Sequence, residues 1–216
     1  MIETGLKKLD QFLGGGIKEG LITDISGQNS TGKTQLTFQI CINALKNGKE
    51  VLFQDTTGEF RPERLVEMLK IQRLDHLLLD KIKVGRITNS FQQAKYLSKT
   101  SINNFSLIII DNATDLFSFE YSKKEQAFEK HLAFMKYMQN LASIAINSKI
   151  PIVVTNIVRS FKENEQENLE KSIGMFTHIK IRLKKSTNGF LCQVVSPFIN
   201  KKFQYRITSN GLTDGS

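Results

Sequence analysis

The stretch Leu21-Ile-Thr-Asp-Ile-Ser26-Gly27-Gln-Asn-Ser-Thr-Gly32-Lys33-Thr34 decides the reading of this chain. Its first six residues, apolar and β-branched, read as a strand. Thr31 to Lys46 reads as a helix closed by Asn47-Gly48. Between them, Gly27 to Thr34 fits the P-loop pattern G-x-x-x-x-G-K-[ST], in the strand-to-helix context the pattern needs. The glycines let successive backbone N–H groups curl around phosphate oxygens, and the helix N-terminus adds partial positive charge. Gly27, Gln28, Asn29, Ser30, Thr31, Gly32, Lys33 and Thr34 are therefore the candidate nucleotide cradle. Lys33 can reach the β- and γ-phosphates, a binding and catalytic role, and the Thr34 hydroxyl can hold Mg²⁺.

Such a site needs an acid on its metal side, at the end of a neighbouring apolar strand. Asp111 follows Leu107-Ile-Ile-Ile110 directly and is the expected second metal ligand. That apolar run suits a parallel strand buried on both faces. Further strands are expected at Val51–Gln54, Lys81–Ile87 and Ile150–Thr155, with helices from Pro62 to Lys70, Phe91 to Ser98 and Glu125 to Ser148. The last helix has an apolar stripe of Phe128, Leu132, Met135, Met138, Ala142 and Ala145. Alternating strands and helices predict an α/β fold with a mostly parallel sheet and helices on both faces. The grammar changes after Lys171. Ile179, Ile181 and Leu183 alternate with Lys180, Arg182 and Lys184, Asn188-Gly189 marks a turn, and Phe190–Val195 can return as its partner. This predicts a C-terminal antiparallel extension of the same sheet, and one domain over residues 1–216.

The chain has 216 residues, 40% of them hydrophobic and 24% charged, which excludes a disordered or collagen-like protein. Two cysteines, Cys41 and Cys192, give no disulfide framework. They read as small core residues, and His76, His131 and His178 have no metal-ligand spacing. The apolar runs are too short to span a membrane, and the N-terminus lacks a signal-peptide pattern, so a cytoplasmic protein is expected. Net charge is +9, with 30 basic and 21 acidic residues. Residues 171–216 hold eight of the bases and a single acid, which points to a polyanionic partner such as DNA. If Ile179, Ile181 and Leu183 face the core, then Lys180, Arg182 and Lys184 share the outer face, joined by Lys185 and Arg206. Such a patch would contact phosphates without reading sequence.

Three further stretches make a resemblance specific. Gly5-Leu-Lys-Lys-Leu-Asp10 with Leu13-Gly-Gly-Gly16 and Gly20-Leu-Ile-Thr23 resembles the opening of the core ATPase domain of RecA/RadA-type recombinases, shared with the KaiC-like group. Gln54-Asp-Thr-Thr-Gly58-Glu-Phe60-Arg-Pro-Glu-Arg64-Leu resembles the D-T-E-G-x-F-R-P-E-R-L stretch of archaeal and eukaryotic recombinases, which sets them apart from the KaiC side. Leu107–Thr114 and Val154-Thr-Asn156 resemble their Walker B segment and next strand end. The chain opens almost at the core, a layout similar to the RadB-type archaeal paralogues. The resemblance implies a RecA-like P-loop core, ATP and Mg²⁺ as cofactors, an adenine-stacking role for Arg64, DNA and a RadA-type recombinase as partners, and possible self-association.

Three departures qualify what the resemblance implies. The family's water-orienting glutamate falls at Thr57, which cannot serve as a carboxylate base. Glu59, two residues on, is the candidate catalytic substitute, although the shift is expected to aim it elsewhere. The family's γ-phosphate-sensing glutamine falls at Ile157. The following loop carries Glu163, Glu165, Glu167 and Glu170, which repel a DNA backbone. The expectation is an ATP-binding recombinase paralogue with weak or absent hydrolysis. The alternatives are a KaiC-like ATPase in signalling or motility and a DNA-independent scaffold subunit. Lys123 and Lys124 are the fallback DNA contacts.

Overall fold

A computed structural model describes residues 1–161, 164–197 and 201–215. The helices are α1 (Lys7–Leu13), α2 (Lys33–Leu45), α3 (Pro62–Ile71), α4 (Ser90–Tyr96), α5 (Asp115–Glu120), α6 (Ala127–Ser148) and α7 (Glu170–Gly174). The strands are β1 (Ile22–Gly27), β2 (Glu50–Asp55), β3 (Ile82–Arg86), β4 (Phe105–Asp111), β5 (Ile152–Phe161), β6 (Asn164–Glu167), β7 (Ile179–Ser186), β8 (Gly189–Ser196), β9 (Lys201–Thr208) and β10 (Gly211–Asp214). They form one sheet in the order β10-β9-β8-β7-β1-β5-β4-β2-β3, with β6 pairing off β5. Strands β7-β1-β5-β4-β2-β3 run parallel, and β8, β9 and β10 join antiparallel. The α/β fold with its antiparallel extension is as the sequence predicts.

The period of two explains how one sheet carries two cores. Leu107 and Ile109 of β4 and Val153 of β5 pack with α1, α2 and α3. Ile108, Ile110, Ile152 and Val154, from the same strands, pack with α5 and α6. Strands apolar in both phases are therefore sandwiched, which is why these segments read as unbroken apolar runs. The extension contributes Ile181, Leu183, Cys192, Val194, Phe203, Tyr205 and Leu212 to the α2 side. Both cysteines are buried there, as expected.

Two expectations need correction. The buried stripe of α6 is Phe134, Tyr137, Met138, Leu141 and Ala145, whereas Phe128 and Leu132 are exposed. The helix is about 33 Å long at 1.5 Å per residue, and the seven residues of β4 span about 23 Å. Its first turns therefore overshoot the sheet. The second correction concerns β7. Lys180 is 9% exposed, not on an open face. The segment β6–α7, unassigned in the sequence reading, folds over this side of β7 and brings its acids with it. Helix α1 was likewise unassigned; Gly14 (φ 70°) ends it, and the Gly15 N–H donates to the Asp10 carbonyl at 2.7 Å.

Candidate nucleotide site

Strand β1 ends at Gly27, whose close approach to β7 admits no side chain: a Cβ there would lie 2.5 Å from the Leu183 carbonyl oxygen. The loop then curls through left-handed backbone at Ser30 (φ 62°) and Gly32 (φ 87°). Thr31 donates its hydroxyl to the Gln28 carbonyl at 2.8 Å, and Tyr205 of β9 donates to the Thr31 carbonyl at 2.6 Å. Behind Gly32 lie Leu212 and Ile207. The rear of the loop is thus the C-terminal extension. Gly32 is the N-cap of α2, and no side chain caps the first-turn N–H groups.

The loop opens on a cavity of about 810 Å³. Of the sequence-predicted residues, Asn29, Ser30, Gly32, Lys33, Thr34, Glu59, Arg64 and Asp111 line it. Gly27, Gln28 and Thr31 lie in the loop's scaffold instead. Lys33 Nζ donates to the Gly27 and Gln28 carbonyls, each at 3.0 Å. Burial lowers its ammonium pKa, opposed by the charges of Asp111, Asp115 and Glu59. Thr34 Oγ1 donates to Asp111 Oδ2 at 2.7 Å, and the Thr155 hydroxyl bonds the other oxygen. Burial raises the Asp111 carboxyl above its usual range, and those two hydroxyls oppose the rise. Arg64 is held at the cavity wall by Gln35 Oε1 at 2.9 Å, the Thr208 carbonyl at 2.8 Å and an ion pair with Glu67.

The turn after β2 explains what became of Thr57. Asp55 Oδ1 accepts from the Thr57 N–H and hydroxyl, each at 3.0 Å, and from the Gly58 N–H at 2.8 Å. Arg86 pairs with Asp55 Oδ2 at 2.9 Å. The Thr57 hydroxyl is therefore occupied in shaping the turn. Glu59, which the sequence led one to expect aimed elsewhere, is exposed and lies among the residues lining the cavity with Thr57 and Ile157. The sequence reading missed Thr56, Asn112 and Asp115. Asp115 had a signal, an acid four residues past Asp111 at the mouth of the same strand.

The expected basic face is a set of ion pairs. Lys180 Nζ lies 2.8 Å from Glu167 Oε2, 3.9 Å from Glu170 and 4.0 Å from Asp24. Arg182 pairs with Glu167 at 2.9 Å and Lys184 with Glu165 at 3.3 Å. Each of these bases meets an acid of the following-loop run, so the free patch drawn through Lys180, Arg182 and Lys184 is not present. Glu163 lies outside the described residues. Lys185 and Arg206 are exposed, as are Lys123 and Lys124. Glu167 also accepts from Asn156 Nδ2 at 2.9 Å, and Asn156 Oδ1 accepts from Thr114 at 2.7 Å, which ties this cluster to the end of β4.

The residues fit Mg·ATP. The uncapped start of α2 offers N–H donors, Lys33 offers a charge that now satisfies itself on loop carbonyls, and Thr34 with Asp111 offers two hard oxygens. Among the described residues no cluster of three or more His, Cys, Asp or Glu could hold a metal unaided. Mg²⁺ suits two protein oxygens completed by phosphate and water.

A P-loop between β1 and α2, an acid at the end of β4 and a parallel sheet with an antiparallel flank define a P-loop protein with a RecA-like core. The family model for Rad51 matches residues 1–215, and the chain belongs to that family. It is 32% identical over 224 residues to the DNA repair and recombination protein RadB of Thermococcus sibiricus, covering 99% of this chain and 95% of that one. It is 36% identical over 171 residues to the DNA repair and recombination protein RadA of Cenarchaeum symbiosum, where the match takes in 74% of this chain and 43% of the other. The crystal structure of the RadB recombinase superposes with a TM-score of 0.83 at 28% identity, covering both chains fully. The chain is a RadB-like member of the RecA/Rad51 recombinases. Among the described residues no helix is long and apolar enough to cross a membrane.

Proposed function

We propose that this protein binds Mg·ATP and serves homologous recombination and DNA repair in the cytoplasm, as a RadB-like paralogue that assists a RadA-type recombinase. The observation that carries this reading is the Lys33–Thr34–Asp111 constellation on a RadB-like chain. Lys33 and the loop N–H groups would hold the phosphates, Thr34 and Asp111 the metal, and Arg64 the adenine. Bound Mg²⁺ would offset charge on the β- and γ-phosphates. Hydrolysis is slow in this reading: Thr57 is engaged with Asp55, Ile157 offers no hydrogen bond to a γ-phosphate, and an aligned base is worth about 10²–10⁴-fold. DNA contact is sequence-independent in this reading and falls on the exposed Lys185, Lys123 and Lys124, because Lys180, Arg182 and Lys184 already form ion pairs.

A second reading, a DNA-independent scaffold in a recombinase assembly, is favoured by that same pairing. The test joins two measurements. Lys33→Ala should lose most affinity for a fluorescent ATP analogue; wild-type affinity in that variant refutes the nucleotide site. A DNA gel shift with and without ATP, beside co-purification with a RadA-type recombinase, separates the readings, since a scaffold co-purifies without shifting DNA.

A further inference from the structure

Two donors from different strands converge on one exposed acid beside the phosphate loop. Gly27 pairs with Leu183 in the sheet, so Gln28 and Lys184 follow side by side. Gln28 Nε2 donates to Glu165 Oε1 at 3.1 Å, and Lys184 Nζ lies 3.3 Å from Glu165 Oε2. An amide and an ammonium, one on each oxygen, are donors of the kind an anion site supplies, and here the chain's own carboxylate fills it. Glu167, on the same segment, differs. It is wholly enclosed and meets Lys180, Arg182 and Asn156, which makes it part of the fold. The Lys184 and Glu165 side chains are 33% and 34% exposed, and an ion pair that water reaches contributes little to stability. Another anion can replace that carboxylate at small cost.

The rest of the face identifies the class of that anion. Ile181, Leu183, Cys192, Val194, Phe203 and Tyr205 point to the α2 side. By alternation, Lys184 of β7, Leu191 and Gln193 of β8, and Lys202 and Gln204 of β9 take the other side. Gln193 pairs with both Arg182 and Lys202, and Leu191 with both Lys184 and Gln204. Lys184 and Lys202 therefore stand two strand spacings apart, about 10 Å across the sheet. Lys202 and Gln204 are exposed. Cations that far apart suit a chain of phosphates and not one small anion.

We propose that this outer face of the antiparallel extension docks the phosphodiester backbone of DNA, and that Glu165 is an internal stand-in for one phosphate, holding Lys184 out of contact until the backbone displaces it. The proposal rests on the DNA-contact reading above and adds Lys184 and Lys202 to it. In the exchange Lys184 and Gln28 trade a carboxylate for phosphate oxygens, and the polynucleotide releases counterions.

Anisotropy of a labelled mixed-sequence DNA duplex, measured over about 50–200 mM NaCl, tests this by the salt slope of binding. The proteins are wild type, Glu165→Gln, Glu170→Gln, Lys202→Met and the double variant Glu165→Gln/Lys184→Met, each checked for a native thermal melt. Glu165→Gln should bind about 3–10-fold tighter at about 0.1 M salt and steepen the slope by about 0.9, one further phosphate contact. Glu170→Gln changes net charge equally but faces Lys180 at 3.9 Å, not Lys184, so it should keep the wild-type slope. The double variant should return to that slope, and Lys202→Met should flatten it. A wild-type slope in Glu165→Gln or in Lys202→Met, an equal gain in Glu170→Gln, or a gain that survives the loss of Lys184 overturns the proposal and leaves DNA contact elsewhere standing. No binding by wild type or any variant overturns the DNA-contact reading and this proposal with it.

Discussion

Replacing Lys180 by methionine tests whether β7 carries a buried ion cluster or an open basic face. Methionine keeps the apolar stem and removes the charge. In the native protein 11% of the Lys180 side chain is exposed, and its ammonium lies 2.8 Å from a Glu167 carboxylate that is wholly enclosed. Removing one partner of an isolated buried pair costs about 3–5 kcal/mol. Glu167 is not isolated, because Arg182 remains at 2.9 Å and Asn156 donates at 2.9 Å. The expected cost is therefore nearer that of one charged hydrogen bond, about 1.5–3 kcal/mol. For a chain of this size each kcal/mol moves Tm by about 2–4 °C, so Lys180→Met should melt about 3–12 °C below wild type. Paired melts of Lys180→Met, Glu167→Gln and the double variant complete a thermodynamic cycle, and the two losses should be markedly non-additive. DNA affinity measured on the same samples should not change. If Lys180→Met melts at the wild-type temperature while DNA affinity falls, the buried-cluster reasoning is wrong and Lys180 contacts phosphate.

Asp24 is fully buried, its oxygens accept no hydrogen bond from a described donor, and burial raises its carboxyl well above 3.8. A raised folded-state value means that its contribution to stability is complete below about pH 3.8 and is lost as pH rises through the raised value. Asp24→Asn should therefore raise Tm relative to wild type at about pH 8 and have little effect at about pH 4, and equal shifts at both would refute the assignment. Tyr205→Phe removes the hydroxyl behind Thr31, so it should cost about 0.5–1.5 kcal/mol in urea denaturation and weaken ATP-analogue binding. A destabilised variant with unchanged analogue affinity would mean that the loop does not need that brace.

How much of this was legible in the sequence follows from the range of each signal. The phosphate loop and Asp111 were readable because a strand, a glycine-rich turn and a helix are contiguous, and because β4 is apolar in both phases. Arg64 was readable only by resemblance; its tie to the Thr208 carbonyl joins residues far apart in the chain. The basic strand misled for a physical reason. Alternation assigns Lys180, Arg182 and Lys184 to one face, which is correct, but it cannot say what covers that face. The cover, β6–α7, is short and polar, and an acidic loop resembles a solvated one until its partners are known. Phe128 and Leu132 misled in the same way, since helical periodicity does not state where the sheet beneath a helix ends. Asp115 was passed over because its signal, an acid four residues past Asp111, lies outside the motif that singled out Asp111.

The bracing of the phosphate loop has a consequence for the order in which the protein can be made. The loop is complete by residue 34, but the hydroxyl that holds it belongs to Tyr205, 174 residues after Thr31, and Ile207 and Leu212 close its back later still. On the ribosome the chain emerges N-terminus first. The phosphate loop therefore waits through most of translation with its rear wall absent. Under the proposed Mg·ATP reading, tight nucleotide binding should therefore follow the docking of β9 and β10 rather than precede it.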